Sequence, residues 1–165
     1  MNQSRFGLPR QALLLLCIAT LPLCGQTLFT VTGDVPKPLE ITAPELAGMP
    51  RQSATLTHDG QSKRYEGVLL YDVLSKAGVP FGKAMTGKPM ASYLLLTARD
   101  GYQVVFALAE LDPKFEGAKV LLADRVDGGP LPATEQPLRV IAPQDKMPAR
   151  SIYSVVKAEV VRLRK

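Results

Sequence analysis

Short runs of apolar and polar positions along the chain predict a protein built mainly from strands. Residues 28–32 form a β-branched and aromatic run that stops at a glycine, which is typical of a strand. Residues 52–58 alternate apolar and polar positions and are followed by Asp59-Gly60. This combination predicts a half-buried strand that enters a tight hairpin turn, with an antiparallel return over residues 63–66.

The middle of the chain predicts two short helical segments and a second hairpin. Residues 42–46 predict a capped helical turn, because a threonine precedes a proline and a glutamate. Residues 69–77 place leucine and valine side chains on one helical face, and Gly78 ends that pattern. Residues 91–98 are nearly all apolar, and residues 102–108 return after a turn, which predicts two paired strands.

The stretch from residue 122 to residue 153 organises the rest of the chain. It is interpreted as a strand, a tight Gly128-Gly129-Pro130 turn, a second apolar strand at residues 138–142, a polar loop and a return into a last β-rich segment. Because strands dominate and helices are few and short, the pattern predicts an α+β fold with a mixed, mostly antiparallel sheet. A chain of 165 residues is expected to form one globular domain.

The first 25 residues have the features of a secretory signal. Two arginines precede an apolar core at residues 12–21, which is too short to cross a bilayer. Cleavage near Gly25 would leave residues 26–165 as a periplasmic domain. The alternatives are a lipid anchor on Cys24 and an uncleaved membrane anchor.

Charge and cysteine content narrow the chemistry. The chain has 20 basic and 15 acidic residues, and two of the basic residues lie in the signal segment. The remaining positive charge is modest, without the interleaved basic and aromatic residues that nucleic-acid binding usually needs. Both cysteines, Cys17 and Cys24, lie in the signal segment. The mature domain is therefore predicted to have no disulfide, thiolate nucleophile or thiolate metal ligand.

The polar loop that follows residue 142 is the first candidate for a ligand site. Asp145, Lys146, Arg150 and Ser151 bring a carboxylate, two cations and a hydroxyl together between two apolar segments. Such a set can orient a ligand in a cleft with apolar walls. The alternative is a solvated surface loop.

Five further residues are candidates for the same site. Arg139 lies in an apolar strand and either points into a pocket or forms a structural salt bridge. Arg99 and Tyr102 lie at a hairpin end that could be only a turn. Tyr65 precedes the predicted helix and is either a core or a rim aromatic. His58 is the only histidine, and one histidine without cysteine does not make a usual metal site.

The order of several motifs resembles one known family. The chain contains, in this order, VTGDVPKPLEIT, ELAGMP, YEGVLLYDVL, ARDGYQVVFALAEL and DGGPLPATEQPLRVIAP, and then a polar loop and a final strand. Their order and spacing over residues 28–163 resemble the molybdopterin-binding domain of the sulfite oxidase family, in its small periplasmic single-domain form. The resemblance implies the fold of that domain and a pocket for a pterin or molybdopterin-like ligand.

One departure from this family changes the expected function. The resemblance implies that catalytic members hold molybdenum through a cysteine thiolate in the segment that corresponds to residues 55–60, where this chain has no cysteine. Molybdenum in such a site needs a soft ligand, which threonine and aspartate do not supply. The resemblance therefore favours a pterin-binding protein without catalysis or metal, which reports pterin to a membrane-bound cyclase or phosphodiesterase of cyclic di-GMP metabolism. The alternatives are a molybdopterin-dependent oxidoreductase with a ligand other than cysteine, and a purely structural domain.

The pterin implied by the resemblance gives the candidate residues their roles. A pterin has a 2-amino-4-oxo edge, so a carboxylate can accept two hydrogen bonds from it while an arginine or an aromatic ring covers its face. We expect the edge at Asp145 and the face at Arg150 or Tyr102. If the loop is only a surface loop, the pocket is expected nearer His58 and Tyr65.

Overall fold

The computed structural model describes residues 25–163, which form two sheets and three short α-helices. The strands are β1 (Thr27–Gly33), β2 (Leu39–Thr42), β3 (Gln52–His58), β4 (Gln61–Leu69), β5 (Ser92–Ala98), β6 (Gln103–Ala107), β7 (Leu121–Val126), β8 (Gly129–Pro130), β9 (Arg139–Ile141) and β10 (Val155–Arg162). The helices are α1 (Ala43–Ala47), α2 (Leu70–Lys76) and α3 (Leu108–Leu111).

The strands are paired almost entirely antiparallel. The first sheet has the order β2-β1-β10-β5-β6, and the second has the order β3-β4-β7-β8, with β9 also paired to β7. Among the described strands, only β1 and β10 run parallel to each other. The predicted class, α+β with a mixed, mostly antiparallel sheet and few short helices, is confirmed.

The main core joins residues of both sheets. Phe29 and Val31 of β1 and Leu94 of β5 are fully buried, as the alternating pattern of these strands requires. Val68 and Leu122 of the second sheet belong to the same cluster, which the apolar face of α2 completes. A smaller cluster surrounds Tyr65. The candidate site lies beside this smaller cluster.

One predicted turn is wrong by one residue. The turn expected at Gly128-Gly129-Pro130 lies at Asp127-Gly128, and β8 follows it. Asp127 has a φ angle of 48°, and its carboxylate accepts the backbone N–H of Arg64 at 2.9 Å. An Asp-Gly pair in this conformation makes a two-residue hairpin turn, and β7 extends to Val126.

The predicted signal segment lies outside the described residues, except for Gly25, and Cys17 and Cys24 lie outside them too. Within residues 25–163, no helix is long and apolar enough to cross a membrane.

Candidate functional site

Three of the predicted residues meet in a cavity of about 120 Å³, which we call the Arg139 pocket. Strand β9 supplies Arg139, β4 supplies Tyr65 and the end of β3 supplies His58. Glu135 and Tyr153 come from the segments that precede β9 and β10. The lining is Leu56, His58, Gln61, Lys63, Tyr65, Glu135, Arg139 and Tyr153.

The guanidinium of Arg139 lies between two aromatic rings. Its central carbon is 4.8 Å from the ring centre of Tyr65 and 4.1 Å from that of Tyr153. Its Nη1 also donates a hydrogen bond to the Tyr65 hydroxyl. Arg139 is 6% exposed, whereas Tyr153 is 50% exposed. Tyr153 is therefore the outer cover of a buried cation.

Glu135 is the buried counter-ion of Arg139. Its Oε2 atom lies 3.1 Å from Arg139 Nη1, and both side chains are nearly inaccessible. This contact is an ion pair, but it does not have the geometry of a hydrogen bond. Glu135 Oε2 and Arg139 Nε thus have no hydrogen-bond partner among the described residues. A buried polar group without a partner costs about 1–3 kcal/mol, so this pair is poised to accept and donate further bonds.

The protonation state of Tyr65 is set by its surroundings. Burial raises the pKa of Tyr65 above its ordinary value of 10, and the positive charge of Arg139 offsets part of that increase. The phenol is therefore neutral at physiological pH. Its hydroxyl accepts a hydrogen bond from Arg139 Nη1 and carries its own proton.

A second cavity, of about 280 Å³, shares Tyr153 with the Arg139 pocket. It is lined by Tyr102 and Ser151, two of the predicted residues, and by the exposed Asp100. The Tyr102 hydroxyl donates to the carbonyl of Ala149 at 3.3 Å. We call this cavity the Tyr102 groove.

The polar loop places Asp145 and Arg150 against each other. Arg150 Nε and Nη2 donate to the two Asp145 oxygens at 2.8 and 2.7 Å, a bidentate pair. Arg150 Nη1 donates to Glu110 at 2.9 Å and to the carbonyl of Val105 at 3.4 Å. The guanidinium also lies over Phe106, 4.3 Å from the ring centre. The carboxylate expected to receive a pterin edge and the arginine expected to cover its face are therefore engaged in this cluster.

The remaining predicted residues are dispersed. Ser151 is buried, and its hydroxyl accepts the N–H of Ala142 at 2.9 Å, which is a structural role. Lys146 is exposed on the loop. Arg99 is exposed and lines a different cavity of about 450 Å³, near the start of β1.

Sequence reasoning missed two residues of the pocket. Glu135 lies in the turn-rich segment PATEQP, where no hydrophobic period marks it. Its only signal is a charge opposite to Arg139 four residues later. Tyr153 begins the last β-rich segment, and its signal is an aromatic residue beside a polar loop, which is a common wall of a ligand site.

The described residues offer a poor donor set for a metal. They contain no group of three or more histidine, cysteine, aspartate and glutamate side chains close enough to hold an ion. His58 is 57% exposed at its side chain, and its Nε2 lies 3.4 Å from the exposed carboxylate of Asp59. One imidazole and one carboxylate are fewer ligands than usual protein metal sites have.

Comparisons with known proteins agree with this fold. The sequence model of the oxidoreductase molybdopterin binding domain matches residues 26–162. The crystal structure of the sulfane dehydrogenase SoxCD from Paracoccus pantotrophus is similar, with a TM-score of 0.64 and 19% identity. The match covers 81% of this chain but only 38% of that chain, so it shows a shared fold. No curated protein sequence matches this chain significantly.

Proposed function

Because this chain belongs to the oxidoreductase molybdopterin-binding domain family, as its motifs predicted, we propose that it holds the pterin of a molybdopterin-type ligand in the Arg139 pocket without catalysing a reaction. The observation that carries this proposal is the buried pair of Glu135 and Arg139, in which Glu135 Oε2 and Arg139 Nε lack hydrogen-bond partners. A ligand that supplies a donor to one and an acceptor to the other satisfies both.

A pterin has the groups that this pair lacks. The amino group and ring N–H of its 2-amino-4-oxo edge are donors that the Glu135 carboxylate can accept, and the oxo group is an acceptor for Arg139. The guanidinium of Arg139 already has aromatic rings on it, at 4.1 and 4.8 Å. A pterin bonded by its edge lies close to the plane of the guanidinium, so both rings can stay stacked on Arg139.

Pocket size determines how much of the ligand the Arg139 pocket can hold. Sites for small molecules usually have about 300–1,000 Å³, and the Arg139 pocket has about 120 Å³. The pocket is large enough for the edge of a ring but not for a whole cofactor. The Tyr102 groove, which shares Tyr153, offers about 280 Å³ for the remainder of the ligand.

We do not propose catalysis, because the segment expected to bind molybdenum contains no thiolate. Molybdenum is the redox-active part of the complete cofactor, and it prefers soft thiolate ligands in sites of this kind. The segment of residues 55–60 provides imidazole, hydroxyl and carboxylate groups instead. Residues of this chain would then bind and orient the organic ring alone.

We further propose that the protein acts in the periplasm and reports pterin to a membrane-bound cyclase or phosphodiesterase of cyclic di-GMP metabolism. The basic and apolar start of the chain supports export. The signalling partner is an expectation from the family resemblance alone. A neighbouring gene for such an enzyme, together with a pterin-dependent change in its activity on adding this protein, would support it.

Calorimetric titration of a tetrahydropterin tests the site. Loss of a charge-assisted hydrogen bond in a desolvated site costs about 1.5–3 kcal/mol, so Glu135→Gln is expected to weaken binding by about 10- to 150-fold. Asp145→Asn is the matched control, because that carboxylate already pairs with Arg150. If Asp145→Asn weakens binding while Glu135→Gln does not, the polar loop is the site.

Metal analysis tests the absence of catalysis. The mature protein, purified from the periplasm that made it, is expected to hold pterin with far less than one molybdenum per chain. Stoichiometric molybdenum, with turnover of sulfite or a sulfoxide that is lost on removing the cofactor, would instead establish an oxidoreductase with an unusual ligand.

A further inference from the structure

The five outer strands of the two sheets differ in how their edges are protected, and the shortest, β8 and β9, have two and three residues. Strand β2 has four residues and follows two prolines, and β8 has two residues, one of them a proline. Strand β6 has a backbone carbonyl bonded to Arg150. Strand β3 has seven residues, with no proline and no Lys, Arg, Asp or Glu among them. Natural proteins usually protect an exposed edge with such residues.

The backbone groups of β3 that face outward follow from its pairing with β4. The hairpin has a two-residue type I′ turn, with φ angles of 49° at Asp59 and 74° at Gly60, and its register has no shift. Thr55 lies opposite Arg64. The N–H and C=O of Arg64 bond to Asp127, on the side away from β3. Thr55 and Arg64 are therefore a non-hydrogen-bonded pair, and the N–H and C=O of Thr55 point outward.

The backbone groups of every second residue in a strand point the same way. Ser53 and Thr57 face the same way as Thr55. These three residues present a row of backbone donors and acceptors, which we call the β3 edge. All three are exposed, and no backbone hydrogen bond of β3 outside its ladder with β4 is found in the described part of the chain.

We propose that the β3 edge binds an extended segment of a protein partner that carries acidic side chains, which adds as an antiparallel strand. Arg64 reaches across β3, where its Nη2 donates to Ser53 Oγ at 3.2 Å. This places a guanidinium near the edge on one face of the hairpin. Lys63, opposite Leu56, is exposed on the other face. Because alternate side chains of a strand share one face, the carboxylates of an added strand complement one of these cations or the other.

The same charges disfavour pairing of two copies of this chain. An antiparallel pair of β3 strands centred on Thr55 would bring the Arg64 side chains of both copies toward one another. Strands lie about 4.8 Å apart, so the two like charges would fall within about two strand spacings on the same face. A partner with acidic residues has no such repulsion.

Binding of a partner strand at the β3 edge is separate from the proposed pterin site and does not depend on whether the Arg139 pocket binds a pterin. It is also next to that pocket, because Leu56 and His58 of β3 line it. A strand added at this edge would lie about 4.8 Å from the strand that forms the pocket wall.

The test uses two end-blocked seven-residue peptides that alternate valine with either glutamate or lysine. Amide hydrogen exchange in the wild-type protein is expected to slow at Ser53, Thr55 and Thr57 when the acidic peptide is added. Binding of the lysine peptide is expected to be at least about tenfold weaker. A higher salt concentration should weaken binding of the acidic peptide, since salt screens exposed charges.

Thr55→Pro removes the central outward N–H without removing a bond of the hairpin, and prolines are tolerated at strand edges. It is expected to weaken acidic-peptide binding by about tenfold or more, while Thr55→Val, which keeps the N–H, binds as wild type. The proposal is overturned if the acidic peptide at millimolar concentration does not slow amide exchange in β3. Equal binding of the two peptides would also overturn it. A wild-type dimer that Thr55→Pro abolishes would overturn it as well, because the occupant of the edge would then be a second copy of this chain.

Discussion

Two arginines of this chain have similar neighbours but differ in how many of their N–H donors form hydrogen bonds. Arg139 and Arg150 each lie over an aromatic ring and beside a carboxylate. Arg150 has a bidentate bond to Asp145 and further bonds to Glu110 and a carbonyl. Arg139 is more deeply buried but leaves Nε without a partner. Arg150 thus uses four of its five N–H donors within the protein, whereas the buried Nε of Arg139 is left for the proposed ligand.

The difference also shows why polar sequence alone is a poor guide to a ligand site. Arg150 and Asp145 are five residues apart in a polar loop, so they are near enough to satisfy each other. Arg139 comes from an apolar strand and meets Glu135 in a buried setting, where a second set of partners is hard to supply. Unmet bonding capacity in a buried position distinguishes the two clusters.

The largest expected effect is on stability at Arg139. Arg139→Met leaves the buried Glu135 charge without its partner, and breaking such a pair costs about 3–5 kcal/mol. Urea unfolding should show this loss, and the double variant Glu135→Gln/Arg139→Met should recover most of it because no buried charge remains. Equal instability of the single and double variants would mean that lost packing, rather than an unpaired charge, causes the effect.

A smaller effect is expected in the other cluster. The Arg150 side chain is about one-third exposed, so solvent screens its ion pairs. Arg150→Met should cost about 1–2 kcal/mol of unfolding free energy and leave pterin affinity unchanged. A double-mutant cycle with Asp145→Asn should show coupling, and Lys146→Met serves as an exposed control within about 0.5 kcal/mol of wild type. The contrast between the arginines fails if Arg150→Met abolishes pterin binding.

The smallest expected effect concerns Tyr65. Tyr65→Phe removes one hydrogen bond to Arg139, at about 1 kcal/mol near neutral pH. Burial raises the pKa of Tyr65 in the folded state. The contribution of Tyr65 to the free energy of unfolding is therefore complete below the pKa of the unfolded state, about 10, and is lost as the pH rises through the pKa of the folded state. The difference in unfolding free energy between wild type and Tyr65→Phe should therefore shrink above pH 10. Parallel pH profiles of the two proteins would contradict the raised pKa.

Most of the fold was predictable from local patterns. Alternation over residues 52–58 and the Asp59-Gly60 pair specify a hairpin because side-chain period and turn geometry act locally. The turn at Asp127-Gly128 carries the same Asp-Gly signal, and the Gly129-Pro130 pair that follows it accounts for the prediction one residue later. The motif order predicted the family, and the match over residues 26–162 confirms it.

The candidate site was predictable only in part. His58, Tyr65 and Arg139 were singled out one by one, but nothing in their spacing indicates that three strands bring them together. Glu135 was missed because its role arises from burial next to Arg139, which a turn-like sequence does not indicate. Tertiary pairing also engaged Asp145 and Arg150, the residues given the leading roles in the loop.

The position of β10 has a consequence for the order of events during synthesis. It is the last strand in the sequence but the middle one of the first sheet, between β1 and β5. Four of the five strands of this sheet therefore leave the ribosome before the strand that joins them. Until β10 emerges, β1-β2 and β5-β6 remain separate hairpins with uncovered apolar faces, and isolated hairpins are marginally stable. Completion of the first sheet therefore has to wait until β10 has been made.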